Sequence, residues 1–445
     1  MLGCLGDRRP LQVQDGQVDP RLLRFEPRVH QVLPHPSSYC REQTTIVLRL
    51  KVLVFLDLTA LPPYRTDTSY RTRSSLSRTV DNIAGCDVVP QTTGSGVRVT
   101  TTVPTVRVAA VQAAPVFLDL AASIEKLDVL TAEAASQGAE LVAFGECFLA
   151  GFPIWNGVLP PIDQHELHQR LVESSITVPG PHADQLGQIA ARHGVVLSVG
   201  VNERAEHSLG QVFNANLIFD THGQLVNHRR KLVATWYERL TWSHGDAHDL
   251  RPVDLDGWRL GALICGENTN TLARYTLLAQ GERLHVATYP PSWPFDRRQD
   301  HPDYDLEDSI RIRSAAHSFE GKVYSVVAAT TLDDQAVTAV AQGDGDLEKL
   351  LRSTPTASLI VGPRGETIAG PLVGAEGTLY ADVDLAEEIA LKQAHDIVGT
   401  YQRLDLFELT VDTSRPHPIT IADRHGATPD QDRETTTLPQ EALDV

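Results

Sequence analysis

A chain of 445 residues, 42% hydrophobic and 22% charged, has the makeup of a soluble globular protein, with room for one large domain plus extensions or for two or three domains. Its 57 acidic against 39 basic side chains leave a net charge of −18, which argues against a nucleic-acid binder, because phosphates call for basic patches. The cysteines Cys4, Cys40, Cys86, Cys147 and Cys265 are odd in number and lack C-x-x-C spacing, so neither a disulfide framework nor a zinc site is indicated.

Residues 1–98 differ from the rest. They hold 12 Arg and 1 Lys against 9 acidic residues, 13 − 9 = +4, which leaves −22 for the remainder. The apolar stretch TIVLRLKVLVFLDLTAL is interrupted by Arg49, Lys51 and Asp57 and lies far from Met1, so neither a membrane span nor a signal peptide is expected. Met1 is the single methionine, and Val99 opens a polar lead-in to the first convincing strand. The expectation is a leader over 1–98, disordered or an upstream mis-start, with translation beginning near Val99, since valine codons such as GTG can initiate.

From there the apolar pattern is regular. VRVAAVQ (106–112) reads as a strand, and Ser123 as the cap of a helix with Ile124, Leu127, Leu130 and Ala134 on one face and Gly138 at its end. AELVAF (139–144) is a second strand. HADQLGQIAARHG is a helix closed by Gly194, and VVLSVGV is the next strand. NANLIFDTHGQLVNH is a hairpin turning at Thr221–Gly223. LGALI (260–264) is a short buried strand ending on Cys265, followed by a helix with Leu272, Tyr275, Leu278 and Ala279 at helical spacing. LHVATYP, a helix around 306–320, the strand KVYSVVAAT, a hairpin about GPRG and the strand TLYADVDL complete the set. Alternating strands and helices with hairpins mixed in imply an α/β protein whose mixed sheets are covered by helices. The domain is expected over 99–413, with a flexible acidic tail over 414–445.

Three ionisable residues stand at C-terminal strand ends, where α/β sheets tend to place their sites. Glu146 follows LVAF, Lys231 follows the hairpin, and Cys265 ends its own strand; Glu238 lies seven positions beyond Lys231. Taken singly, a Glu or Lys after a strand is solvated surface and a lone Cys is packing, the reading given to Cys147. Together they supply a nucleophile, a base and a cation for developing charge, the set needed at an unreactive carbon–nitrogen bond. A thiol with a pKa of about 8.5 needs a nearby ammonium, helix start and base to react at neutral pH, and the Gly266 N–H is a candidate extra donor.

FGE at Glu146, RRKLVATWYER around Lys231 and Glu238, and GALICGEN around Cys265 occur in order over 106–416. In these motifs the chain resembles the carbon–nitrogen hydrolase (nitrilase) superfamily. The resemblance implies a four-layer αββα sandwich over core 106–384, pairing to αββα–αββα in a dimer and often extending to spirals. It implies Cys265 as nucleophile, Glu146 as base and later acid, Lys231 as stabiliser of the tetrahedral intermediate and Glu238 as a positioning glutamate, with no metal or organic cofactor. ERLHVATYPPSWPF and DIVGTYQRLDLFELTVD resemble the nitrilase branch, the latter extending the domain to 413. Gly266, Thr400 and Leu404 depart from its usual Trp or Ala, His and Pro. The implied activity is hydrolysis of a small nitrile, with water as co-substrate, to an acid and ammonia, and the acidic charge balance favours a cytoplasmic enzyme. The alternatives are an aliphatic amidase or N-carbamoyl hydrolase, or a catalytically silent assembly subunit. Trp155, Tyr237 and Trp293 are candidate pocket aromatics, with core packing an equal reading of each.

Overall fold

The computed structural model describes residues 103–293 and 305–419; the expected leader 1–98 and the tail beyond 419 lie outside them. In chain order the elements are β1 (Thr105–Gln112), α1 (Leu120–Ser136), β2 (Leu141–Phe144), α2 (His165–Glu173), α3 (Pro181–His193), β3 (Val196–Arg204), β4 (Val212–Phe219) and β5 (Leu225–Arg230). Then follow β6 (Val253–Leu255), β7 (Trp258–Ile264), α4 (Thr271–Ala279), β8 (Leu284–Tyr289), α5 (Leu306–Gly321) and β9 (Tyr324–Ala329). The last are α6 (Asp334–Ala341), α7 (Gly345–Leu351), β10 (Ala357–Val361), β11 (Thr367–Val373), β12 (Gly377–Asp384) and α8 (Glu387–Ala394).

The strands form two six-stranded mixed sheets, ordered β12-β1-β2-β3-β4-β5 and β11-β10-β9-β8-β7-β6. In the first, β1, β2 and β3 run parallel, and β12, β4 and β5 join antiparallel. In the second, β7, β8 and β9 are parallel and β6, β10 and β11 antiparallel. Val106, Val108, Ala110, Leu141 and Ala143 of the first sheet pack on Leu260, Ala262, Val286, Val326 and Ala328 of the second. The opposite face of the first sheet packs Val142 and Leu197 on Ile124 and Leu127 of α1 and Leu186 and Ile189 of α3. The outer face of the second is covered by Ile310 of α5 with α6 and α7, and by Ala273 and Leu277 of α4 under Leu263. Alternate residues of a buried strand thus face sheet on one side and helix on the other, giving four αββα layers. Each large aliphatic side chain so buried contributes about 1.5–3 kcal/mol.

Two local expectations are corrected. The cap of α1 is Asp119, whose carboxylate accepts from the Ala122 N–H at 3.0 Å; Ser123 lies inside the helix, its hydroxyl bridging the N–H and carbonyl of Val116 at 3.1 and 3.0 Å. On α4 the buried face is Ala273, Thr276, Leu277 and Leu278, while Leu272 is 61% exposed. Leu272, Tyr275 and Ala279 instead line a groove closed by Leu404, Phe407 and Val411 of the irregular C-terminal segment, which the helical spacing alone does not reveal. That segment is fastened by Arg415, which donates to Asp246 at 3.2 Å and to the His228 carbonyl at 3.2 Å. Among the described residues no helix is long and apolar enough to cross a membrane.

Candidate active site

The C-terminal ends of β2, β5 and β7 deliver the three ionisable residues to one place. Glu146 stands two residues after β2, and its backbone is tied to the other sheet: its N–H donates to the Tyr289 carbonyl at 3.2 Å and its carbonyl accepts from the Thr330 hydroxyl at 3.2 Å. Lys231 follows β5 directly, and Glu238 sits in the 3-10 turn Trp236–Leu240. Cys265 follows β7 directly and opens a 3-10 turn, Cys265–Thr269, with φ +49°, a left-handed conformation that is strained for a residue bearing a Cβ.

Glu146, Lys231 and Glu238 are at most 1% exposed and Cys265 is 7% exposed. The Lys231 ammonium donates to Glu146 Oε1 at 2.8 Å and to Glu238 Oε1 and Oε2 at 3.0 and 2.8 Å. Asn214 donates to Glu146 Oε1 at 2.6 Å, and the Thr235 N–H to Glu238 Oε2 at 2.6 Å. Glu146 Oε2 has no hydrogen-bond partner and remains as an acceptor. A carboxylate oxygen of Glu146, one of Glu238 and the Cys265 sulfur lie within 4.8 Å of one another. This acid–thiol set could be mistaken for metal ligands, but the cation among the carboxylates is the lysine.

Electrostatics follow from one lysine serving two buried acids. Lys231 is held well above its ordinary range despite burial, because both carboxylates face it. Glu146 is pushed up to about 7: burial and the charge of Glu238 outweigh its share of the ammonium and the Asn214 bond. Burial and Glu146 also push the Cys265 thiol above its ordinary value, against the weaker pull of Lys231 and Arg313. The ammonium is spent on carboxylates, and α4 begins only at Thr271, capped by Asn270. The site therefore pairs a neutral thiol with a carboxylate poised to take its proton near neutral pH.

Beside the sulfur opens a cavity of about 250 Å³ lined by Thr235, Trp236, Cys265, Gly266, Pro290, Trp293, Leu306 and Arg313. Gly266 and Trp293 stand in its wall. Tyr237 lies behind, stacked on Trp293 with ring centroids 4.6 Å apart, and the cavity residue is its neighbour Trp236. Trp155 is fully buried, edge-on to Phe117 at 6.1 Å, and does not line this cavity. Cys147 is buried with its thiol directed at the Val201 carbonyl, 3.9 Å away, in keeping with a packing role. Asn214, in the first strand of the hairpin, and Arg313, in the helix around 306–320, also belong to the site, and no motif in the sequence marks either.

Known proteins show the family. The sequence profile described as carbon-nitrogen hydrolase matches residues 107–393. The chain belongs to the carbon–nitrogen hydrolase family. This carbon–nitrogen hydrolase is 35% identical over 314 residues, 71% of its length, to a nitrilase of Paraburkholderia phymatum, covering 88% of that protein. It is 34% identical over 320 residues, 72% of its length, to an aliphatic nitrilase of Rhodococcus rhodochrous (86% covered). It is 33% identical over 338 residues, also 72% of its length, to an arylacetonitrilase of Fusarium vanettenii (96% covered). Its fold is that of a carbon–nitrogen hydrolase from Helicobacter pylori, with a TM-score of 0.53 at 17% identity over 68% of this chain and 97% of the other.

Proposed function

We propose that this hydrolase converts a nitrile and two waters to a carboxylic acid and ammonia. The observation that carries the proposal is the buried Glu146–Lys231–Cys265 arrangement in a chain 33–35% identical to proteins named as nitrilases. Glu146 accepts the thiol proton as the Cys265 sulfur adds to the nitrile carbon, and the proton passes to the nitrile nitrogen, forming a thioimidate. Water adds, the C–N bond breaks, ammonia leaves and a thioester remains; a second water, activated by Glu146, cleaves the C–S bond and restores the thiol. All three Lys231 donors are engaged at rest, so the ammonium stabilises the tetrahedral intermediate by exchanging a carboxylate bond for the developing anion. Glu238 retains and orients that ammonium.

Trp236, Trp293, Pro290 and Leu306 give the cavity an apolar wall, suited to an aliphatic or aryl-bearing nitrile. The catalytic unit spans 99–413 and works in the cytoplasm as a homo-oligomer. The exposed Ile312 and Phe319 of α5 and Leu404, Leu406 and Phe407 near the C-terminus are the large apolar side chains a second copy would cover.

The test is ammonia release by the full chain from a panel of nitriles and their matching amides. Turnover of nitriles that disappears in Cys265→Ala and survives in Cys147→Ala is the expected result. Turnover of amides alone would make the enzyme an amidase, and nitrile turnover retained in Cys265→Ala would refute the assignment.

A further inference from the structure

Beneath the Cys265 turn lies a second group of titratable side chains that the proposed chemistry does not use. The side chains of Glu282, His285 and His317 are fully buried, on the approach to β8, on β8 and on α5. Glu282 Oε1 meets His285 Nδ1 at 2.7 Å, Glu282 Oε2 meets His317 Nε2 at 2.8 Å, and the two imidazoles lie 4.2 Å apart. Burying such a group is costly, and apolar side chains of the same volume would often stabilise the fold as well or better.

Both ends of the motif around the cysteine point at this group. Gly261, four residues before Cys265, is bare because Glu282 occupies the place of its side chain: a Cβ there would lie 1.9 Å from Glu282 Oε1. Asn268, three residues after Cys265, accepts from His285 Nε2 at 3.0 Å and donates to the carbonyls of Leu263 and Cys265 at 3.3 and 3.0 Å. One of these carbonyls belongs to the residue with φ +49° and the other to the residue two positions before it. Because the Asn268 amide nitrogen serves two carbonyls, its oxygen must face His285, so His285 Nε2 carries a hydrogen. The two imidazoles lower the Glu282 carboxyl to about 2 despite burial, and burial in turn lowers His317 to about 4. A buried histidine–carboxylate pair thus fixes the orientation of one amide, and that amide grips the nucleophile's turn.

We infer that Glu282, His285 and His317, acting through Asn268, are positioning residues that hold Cys265 in its strained, attack-ready conformation. The inference rests on the reading of Cys265 as nucleophile. A metal centre is disfavoured by the contacts themselves, since each carboxylate oxygen is spent on a different imidazole at hydrogen-bond distance.

The experiment compares Asn268→Asp, Glu282→Gln, His317→Gln and His317→Leu in the full chain. It records kcat and KM on the nitrile turned over best, and the rate at which iodoacetamide alkylates Cys265. Misplacement of a reacting atom by about 1 Å can cost roughly 100-fold. Asn268→Asp and Glu282→Gln are therefore expected to lower kcat and the alkylation rate together by one to two orders of magnitude, with KM near the parent value. His317→Gln, which keeps a donor for Glu282, is expected to retain more activity than His317→Leu. Unchanged kcat in Asn268→Asp, or faster alkylation with lost activity (a turn that merely unfolds), would overturn the inference. So would a stoichiometric metal in the purified protein that His317→Gln removes. Activity surviving in Cys265→Ala would instead refute the catalytic reading; a dead Cys265→Ala beside a fully active Asn268→Asp would remove the positioning role alone. Should Glu282→Gln fail to fold, Asn268→Asp and the His317 pair still decide.

Discussion

Replacing Lys231 by methionine tests whether one ammonium really neutralises two buried acids. Lys231 makes three contacts of 2.8–3.0 Å to Glu146 and Glu238, whose side chains are fully buried. Methionine fills similar volume but leaves both carboxylates without their cation. Removing one partner of a buried ion pair costs about 3–5 kcal/mol. At about 2–4 °C per kcal/mol for a domain of this order, the melting temperature should fall by roughly 10 °C. Adding Glu238→Gln removes one orphaned charge, so Lys231→Met/Glu238→Gln should be more stable than Lys231→Met alone. Urea unfolding of the full chain, followed by circular dichroism, measures all three proteins. A loss near that of an exposed pair, about 0–1 kcal/mol, or a double variant weaker than the single, would refute the reasoning.

The remaining predictions concern the same site. With Glu146 held near 7 and required as a base, kcat/KM should rise about tenfold per pH unit up to pH 7 and then level; a profile flat from pH 5 to 8 would exclude that role. A Cβ on Gly200 would lie 2.4 Å from the Gly145 carbonyl and 2.5 Å from the Cys147 nitrogen, on the backbone that carries Glu146. Gly200→Ala should therefore lose activity by roughly 100-fold or more, read as ammonia release from protein that is still folded. Gly266 lines the cavity, so Gly266→Leu should raise KM for aryl-bearing nitriles while sparing the smallest aliphatic ones; equal effects on both would place the substrate elsewhere.

The main elements of this molecule were legible because its buried strands are short apolar runs that stop abruptly. Glu146 and Cys265 follow such runs within two residues, Lys231 directly follows the largely polar strand Leu225–Arg230, and ionisable groups at strand ends point to chemistry when several occur together. What escaped depended on neighbours distant in sequence. Burial and Glu146, which lies beyond another strand, raise the Cys265 thiol, and nothing local to the cysteine in the sequence shows this. The 3-10 turn from Trp236 decides which of two adjacent aromatics faces the cavity, and no periodicity of so short an element announces it. The short helices α6, α7 and α8 carry too few turns to display a face, and the apolar stripe of α4 is shared between core and C-terminal segment.

The pairing of β1 with β12 sets a condition on how the protein is made. Thr105 lies opposite Asp384 and Gln112 opposite Gly377, so one edge of β1 finds its partner only after nearly the whole domain has left the ribosome. Until then an apolar strand with unsatisfied backbone groups stands open to any other nascent chain. Synthesis halted before Gly377 would leave the three catalytic residues encoded and the first sheet unfinished, and the product expected is an aggregating fragment.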